Sequence, residues 1–226
     1  MKPIKLFSII AISVFGVFSQ VAAQSQSDEM KQSEAEARSI LNAMSAYAKS
    51  CSTIEVKFTS SYENKRTGDK NTSQGSLMVK GDKYVLDVNG MVTYSDGKTI
   101  YVWQKAENEV DISDNDPDSE DAMTPSKLFG AYKTGYKLHH LADKKIAGID
   151  CAQVDLYPSD TKTNIMRLRI SIEKSTNRMR QFEQTTKSGE SIVFLVKEFK
   201  VNQSIADSEF VFDTKSHSGV EVVDLR

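Results

Sequence analysis

The sequence predicts an α+β fold that is mainly β: an antiparallel meander of about eleven strands with two helical segments. Three observations predict it. Short runs of alternating apolar and polar residues recur along the chain, separated by Gly, Asn and Asp turns. One helical stripe precedes them: Ile40, Leu41, Met44, Tyr47 and Ala48 recur at spacings of three and four. The stretch Tyr94 to Trp103 joins an Asp96-Gly97 hairpin signal, read as a type I′ turn, to a strand apolar on both faces. Ile100 and Val102 lie on one face of that strand, Tyr101 and Trp103 on the other.

The N-terminus reads as a secretory signal peptide over residues 1–23. Lys2 and Lys5 form a basic start, and Leu6 to Phe18 is an apolar run too short to span a bilayer. Val21-Ala22-Ala23 fits a cleavage site before Gln24, and Gln24 is not the cysteine of a lipoprotein. The rest, 24–226, suits one exported soluble domain. The net charge of −2 becomes more negative once Lys2 and Lys5 are removed, which excludes the basic footprint that nucleic acid requires. Cys51 and Cys151 are the two cysteines. A disulfide between them would close a loop worth roughly 4–5 kcal/mol in the chain-entropy model; two separate thiols are the alternative.

Gln24 to Ser33 is polar and reads as a frayed lead into the helix, Glu34 to Ser50. Ile54, Val56, Phe58, Ser60 and Tyr62 alternate as the first strand, before a charged turn from Glu63 to Lys70. Leu77 and Val79 lead to the turn Gly81-Asp82, and Tyr84, Leu86 and Val88 to Asn89-Gly90. Met91 to Tyr94 and Ile100 to Trp103 follow. Glu107 to Asp121 reads as a solvated acidic loop. Asp114, Asp116 and Asp118 resemble the start of a calcium loop, but Ser119 and Pro125 stand where its glycine and glutamate belong. Thr124-Pro125 starts a short helix with Leu128, Phe129 and Tyr132 on its apolar side. The second half offers strands at Tyr136–Leu141, Cys151–Leu156, Met166–Ile172, Met179–Gln184, Ile192–Val201 and Phe210–Phe212.

No catalytic, metal or cofactor motif is present. His139 and His140 are adjacent on a strand and point to opposite faces, and no GxSxG, HExxH, Walker or GxGxxG sequence occurs. Methionines and aromatics are spread instead over elements that can share one side. A curved sheet under two helical covers would enclose either a packed core or an apolar cavity.

At this point the chain resembles the periplasmic outer-membrane lipoprotein carriers, the LolA-like family. The resemblance runs from Ile40-Leu41-Asn42 and Val56-Lys57-Phe58-Thr59 through Gly75 to Lys80 and Ser95 to Val102. Thr124-Pro125 with Leu128 is similar to the family's lid helix, and Phe210 to Phe212 with Ser218 to Val222 to its last strand and closing turn. It implies a strongly curved, incomplete antiparallel β-barrel of about 11 strands with a helical lid over an apolar cavity. It also implies a monomeric carrier that binds lipoprotein acyl chains, takes them from an inner-membrane releasing complex and delivers them to an outer-membrane acceptor.

On that reading Val56, Phe58, Leu77, Val79, Tyr84, Leu86, Met91 and Trp103 form the cavity wall, and Leu41, Met44, Leu128 and Phe129 the underside of the lid. The family commonly carries Arg-Pro after the Val-Lys of this strand, and the arginine helps latch the lid. Here Val79-Lys80 is followed by Gly81-Asp82, which leaves Lys80 as the substitute. The rival reading is a periplasmic module that senses lipid or lipoprotein without transporting it.

Overall fold

A computed structural model describes residues 15–116 and 130–226. Leu128, Phe129 and the Thr124-Pro125 start of the second helix lie outside the described residues, as do residues 1–14 of the expected signal peptide. One long helix, α1 (Phe15–Ser50), precedes the strands. It extends through Gln24 to Ser33, the segment expected to fray. That stretch contains neither Gly nor Pro and is rich in helix formers. Paired side chains one turn apart support it, Gln32 on Glu36 and Arg38 on Glu34, each at 3.0 Å.

Twelve strands form one sheet: β1 (Ile54–Asn64), β2 (Lys70–Lys80), β3 (Lys83–Val88), β4 (Met91–Ser95), β5 (Thr99–Gln104), β6 (Glu109–Asp114), β7 (Tyr136–Ile146), β8 (Ile149–Pro158), β9 (Ile165–Glu173), β10 (Met179–Thr186), β11 (Glu190–Val201) and β12 (Glu221–Asp224). The spatial order is β12-β6-β5-β4-β3-β2-β1-β11-β10-β9-β8-β7. Every pairing is antiparallel except β12 with β6. Hairpins join successive strands within β1–β6 and β7–β11, and β1 pairs with β11 to join the two meanders.

The expectation of a strongly curved, incomplete barrel is overturned. The sheet is open and not strongly curled, with β7 at one edge and β12 at the other. Closure requires the two edges to meet and the register to stagger around the ring. Here β2 through β6 pair without an interruption of register, so the bulges that bend a sheet are missing from that half.

Three further expectations change. The acidic run contributes β6, because Val110 and Ile112 alternate with the acids and are buried. Phe210 to Phe212 is not a strand: a 3-10 turn, Asp207–Phe210, sits there, and the final strand is Glu221–Asp224. The type I′ geometry belongs to Asn89-Gly90, where both residues have positive φ, 55° and 80°. At Asp96-Gly97 only the glycine does, and the Asp96 carboxylate accepts instead from the amides of Lys98 and Thr99, both at 2.8 Å.

The core is divided by place. Under α1, Ala37, Leu41 and Met44 pack on Leu138, Val154, Leu156, Leu168, Ile170 and Ile172 of β7–β9. On the same face a second cluster spans β1–β3 and β11, to which α1 contributes Ala48, with the Tyr47 ring against Phe199. On the opposite face the chain after β11 folds back, and Phe210 and Ile205 cover Val85, Val92, Met78, Tyr94 and Trp103.

Candidate functional site

Directly opposed residues of neighbouring strands share a face. From β1 to β5 the register therefore builds three parallel rows. Val56, Leu77, Leu86, Thr93 and Val102 form the middle one. Ile54, Val79, Tyr84, Ser95 and Ile100 lie on one side of it; Phe58, Gly75, Val88, Met91 and Gln104 lie on the other. Four interstrand steps make the middle row about 19 Å long. This face holds Val56, Phe58, Leu77, Val79, Tyr84, Leu86 and Met91 together.

Burial falls along the middle row and the Met91 row, whereas the Ile54 row stays closed as far as Ser95, which is 0% exposed. Ile54, Val56, Phe58, Val79 and Tyr84 are buried, while Leu77, Leu86, Val88, Ile100 and Val102 are half-buried. Met91 is 43% exposed. An apolar face that grows more open away from α1 is the surface an apolar ligand would complete. Its aromatic side begins with the Phe58 ring, edge-on to Phe194 at 5.3 Å, and Phe194 continues to Phe182 at 6.1 Å. Phe194 and Phe182 were not among the expected wall residues. The run Ile192 to Val196 is apolar without a break, so alternation does not say which way Phe194 faces; the β1–β11 pairing decides it.

Trp103 is placed elsewhere. It stands opposite Val92, on the other face, with Phe212 at 5.8 Å and His217 at 4.4 Å. Phe212 stacks on His217 at 4.3 Å. The C-terminal segment, not the apolar rows, is the partner of this tryptophan. Lys80 also serves that segment. Its ammonium donates to the Ile205 carbonyl at 2.8 Å and to Asp207 at 2.7 Å, and Lys83 reaches the same carboxylate at 2.7 Å. Lys80 and Lys83 together hold the Asp207 carboxyl down to about 2.

The helix is fastened at several other points. At the first of these, Ser33 Oγ meets His139 Nδ1 and the His140 amide, both at 2.9 Å, and Glu36 pairs with His140 at 2.9 Å. The His140 hydrogen bond, with that of Gln32, lowers the Glu36 carboxyl below its ordinary value. In the middle, the Tyr132 hydroxyl donates to Asn42 at 2.9 Å. Near the end, Arg178 Nε donates to the Tyr47 hydroxyl at 2.8 Å, and the guanidinium lies over the Tyr47 and Phe199 rings. Nothing local in the sequence marks Arg178, which follows the β9–β10 turn. Leu41 and Met44 are 0% and 1% exposed. Uncovering either would cost about 1.5–3 kcal/mol.

The back of β8–β10 is polar. Arg169 grips Asp155 through Nε at 2.6 Å and Nη2 at 2.8 Å, Tyr157 donates to the same carboxylate, and Arg167 pairs with Glu183. Acyl chains would find no apolar surface there.

Cys51 and Cys151 do not pair. Cys51 Sγ lies on the Tyr47 carbonyl at the end of α1, and Cys151 Sγ on the Ile149 carbonyl in β8, so each thiol sits in a different packing environment. Burial, with the Glu173 charge, pushes the Cys151 thiol up. Among the described residues no group of His, Cys, Asp or Glu is arranged to hold a metal ion, and no helix is long and apolar enough to cross a membrane.

The family described as "Outer membrane lipoprotein carrier protein LolA" matches residues 49–213, well over half of the chain. No curated protein sequence matches. An uncharacterised conserved protein from Thermus thermophilus superposes with a TM-score of 0.57 at 10% identity, over 84% of this chain and 99% of that one. A LolA superfamily protein from Nitrosomonas europaea gives 0.42 at 13% identity, over 79% and 98%. Lipoprotein LppX from Mycobacterium tuberculosis gives 0.42 at 13% identity, over 75% and 98%. The matched family is one of carriers rather than catalysts. The chain is a periplasmic member of the outer membrane lipoprotein carrier family, LolA.

Proposed function

We propose that this protein, released by removal of residues 1–23, carries lipoproteins as a monomer. Their acyl chains lie on the β1–β5 half of its apolar face, are received from an inner-membrane releasing complex and are passed to an outer-membrane acceptor. The observation that carries the reading is the set of three rows, apolar at Val56, Leu77, Leu86 and Val102 and progressively open toward Met91.

The need for such a surface is physical. Each buried CH₂ holds an acyl chain in a membrane by about 0.8 kcal/mol, so a chain leaves at a useful rate only onto comparable apolar cover. The partly exposed rows supply that cover without enclosing the chain, which permits release. No covalent step is required; energy enters at the releasing complex.

Spheroplasts exporting a labelled lipoprotein test the reading. Addition of the purified protein is expected to bring the label into a soluble one-to-one complex with acylated cargo. Label that stays with the membrane while the protein remains folded would overturn transport and leave lipid sensing as the better account.

A further inference from the structure

We infer that α1 is a fixed wall beside the ligand and not a lid that must lift to admit it. The inference rests on the acyl-binding reading and assigns the moving part of that site: not this helix.

Two observations on the same sheet face carry it. The helix is seated over β7–β9, where Ala37, Leu41 and Met44 are at most 1% exposed against six buried aliphatic side chains. The half-open rows lie over β2–β5, and among the described residues α1 reaches their cluster only in its last turns, through Ala48 and the contact of the Tyr47 ring with Phe199. A chain entering those rows needs none of the space that α1 occupies. Lifting α1 would expose the closed core rather than the open rows. The attachments are spread along the helix, at Ser33 and Glu36, at Asn42 and at Tyr47. A hinge needs a stretch free to move, and these ties run from Ser33 to Tyr47, across both halves of the helix that remains once residues 1–23 are removed. The exit is tied as well: the Asn202 side chain accepts from the Ser52 amide at 2.8 Å, and Thr53 Oγ1 donates to the Gln203 carbonyl at 2.9 Å.

A reversible staple tests this. Ser33 Oγ stands 2.9 Å from the His140 amide, far along the helix from its exit at residues 51–53. Cysteines at these two positions, S33C with H140C, in a C51S/C151A background, would pin α1 to β7 when oxidised. Binding of a fluorescent long-chain fatty acid is measured before and after reduction. The inference expects affinities within about twofold, because a state that need not be left adds no conformational cost to binding. A loss of about tenfold or more on oxidation, restored by reduction, would overturn it and leave the acyl-binding reading intact. Failure of the unstapled parent to bind the fatty acid would overturn both together.

A second variant works in the opposite direction. Arg178→Ala removes the bond to Tyr47 and loosens the helix end. Lowered thermal stability with unchanged affinity is expected; a gain in affinity or in the rate of entry would mean that α1 gates the site.

Discussion

The Phe58 ring lies on the bare backbone of Gly75 in the neighbouring strand. A Cβ on Gly75 would come within 2.5 Å of Phe58 Cε2 and Cζ and within 2.7 Å of the Asp87 carbonyl. The glycine is needed for this approach and not for its backbone angles. It lets the ring approach the neighbouring strand closely at the border between the closed core and the open rows.

Gly75→Ala is therefore expected to destabilise the protein by about 1–3 kcal/mol, the usual range for an overpacked site. It should also disturb the Phe58–Phe194 contact. Urea unfolding reads the first effect. A variant as stable as the parent would mean that the ring moves away freely and that the contact contributes little.

A carboxylate placed at a leucine in each half separates the two parts of the apolar face. Leu86→Glu puts it in a half-open row, where water reaches it, so the fold should survive while fatty-acid binding falls. Leu156→Glu places the same group beneath α1, where the leucine is 1% exposed, and should unfold the protein. Circular dichroism and ligand titration on the two variants give the comparison. Unfolding of both would make β1–β5 ordinary core.

The C-terminal segment should respond to acid. Lys80 and Lys83 lower the Asp207 carboxyl from an ordinary 3.8 to about 2. A carboxyl lowered on folding contributes its attachment fully above the unfolded value and loses it as pH falls through the folded one. The segment should thus stay on its face from neutral pH to about 4 and loosen between about 4 and 2, more readily at high salt. Trp103 fluorescence reports it, since Phe212 and His217 of that segment touch the indole. Asp207→Asn should lack the transition; the same transition in that variant would assign it to other groups.

Much of the fold was legible because alternation is local. Val56 with Phe58, Leu77 with Val79, and Tyr84 with Leu86 each announce a strand and its inward side, and pairing then aligns them in rows. Trp103 shows the limit. Its strand is apolar on both faces, so alternation separates Trp103 from Val102 without saying which faces the ligand. The deciding contact is with Phe212 and His217, more than a hundred residues later. Curvature was equally hidden, because an open or a closed sheet depends on bulges and edges that hydrophobic pattern does not encode. β6 was missed for a different reason: its acids Glu109 and Asp111 lie on the face of Gln104 and Val102 and alternate with Val110 and Ile112 on the Trp103 face, and composition outweighed period.

The central claim is the location of the acyl chain, and photo-crosslinking tests it most directly. A fatty acid bearing a photoreactive group near its tail is bound, irradiated, and the labelled residues are read by peptide mass spectrometry. The account predicts label on Leu77, Leu86, Val88, Met91 and Val102. Label confined to the α1–β7–β9 core, or to Trp103 and its neighbours on the opposite face, would contradict it.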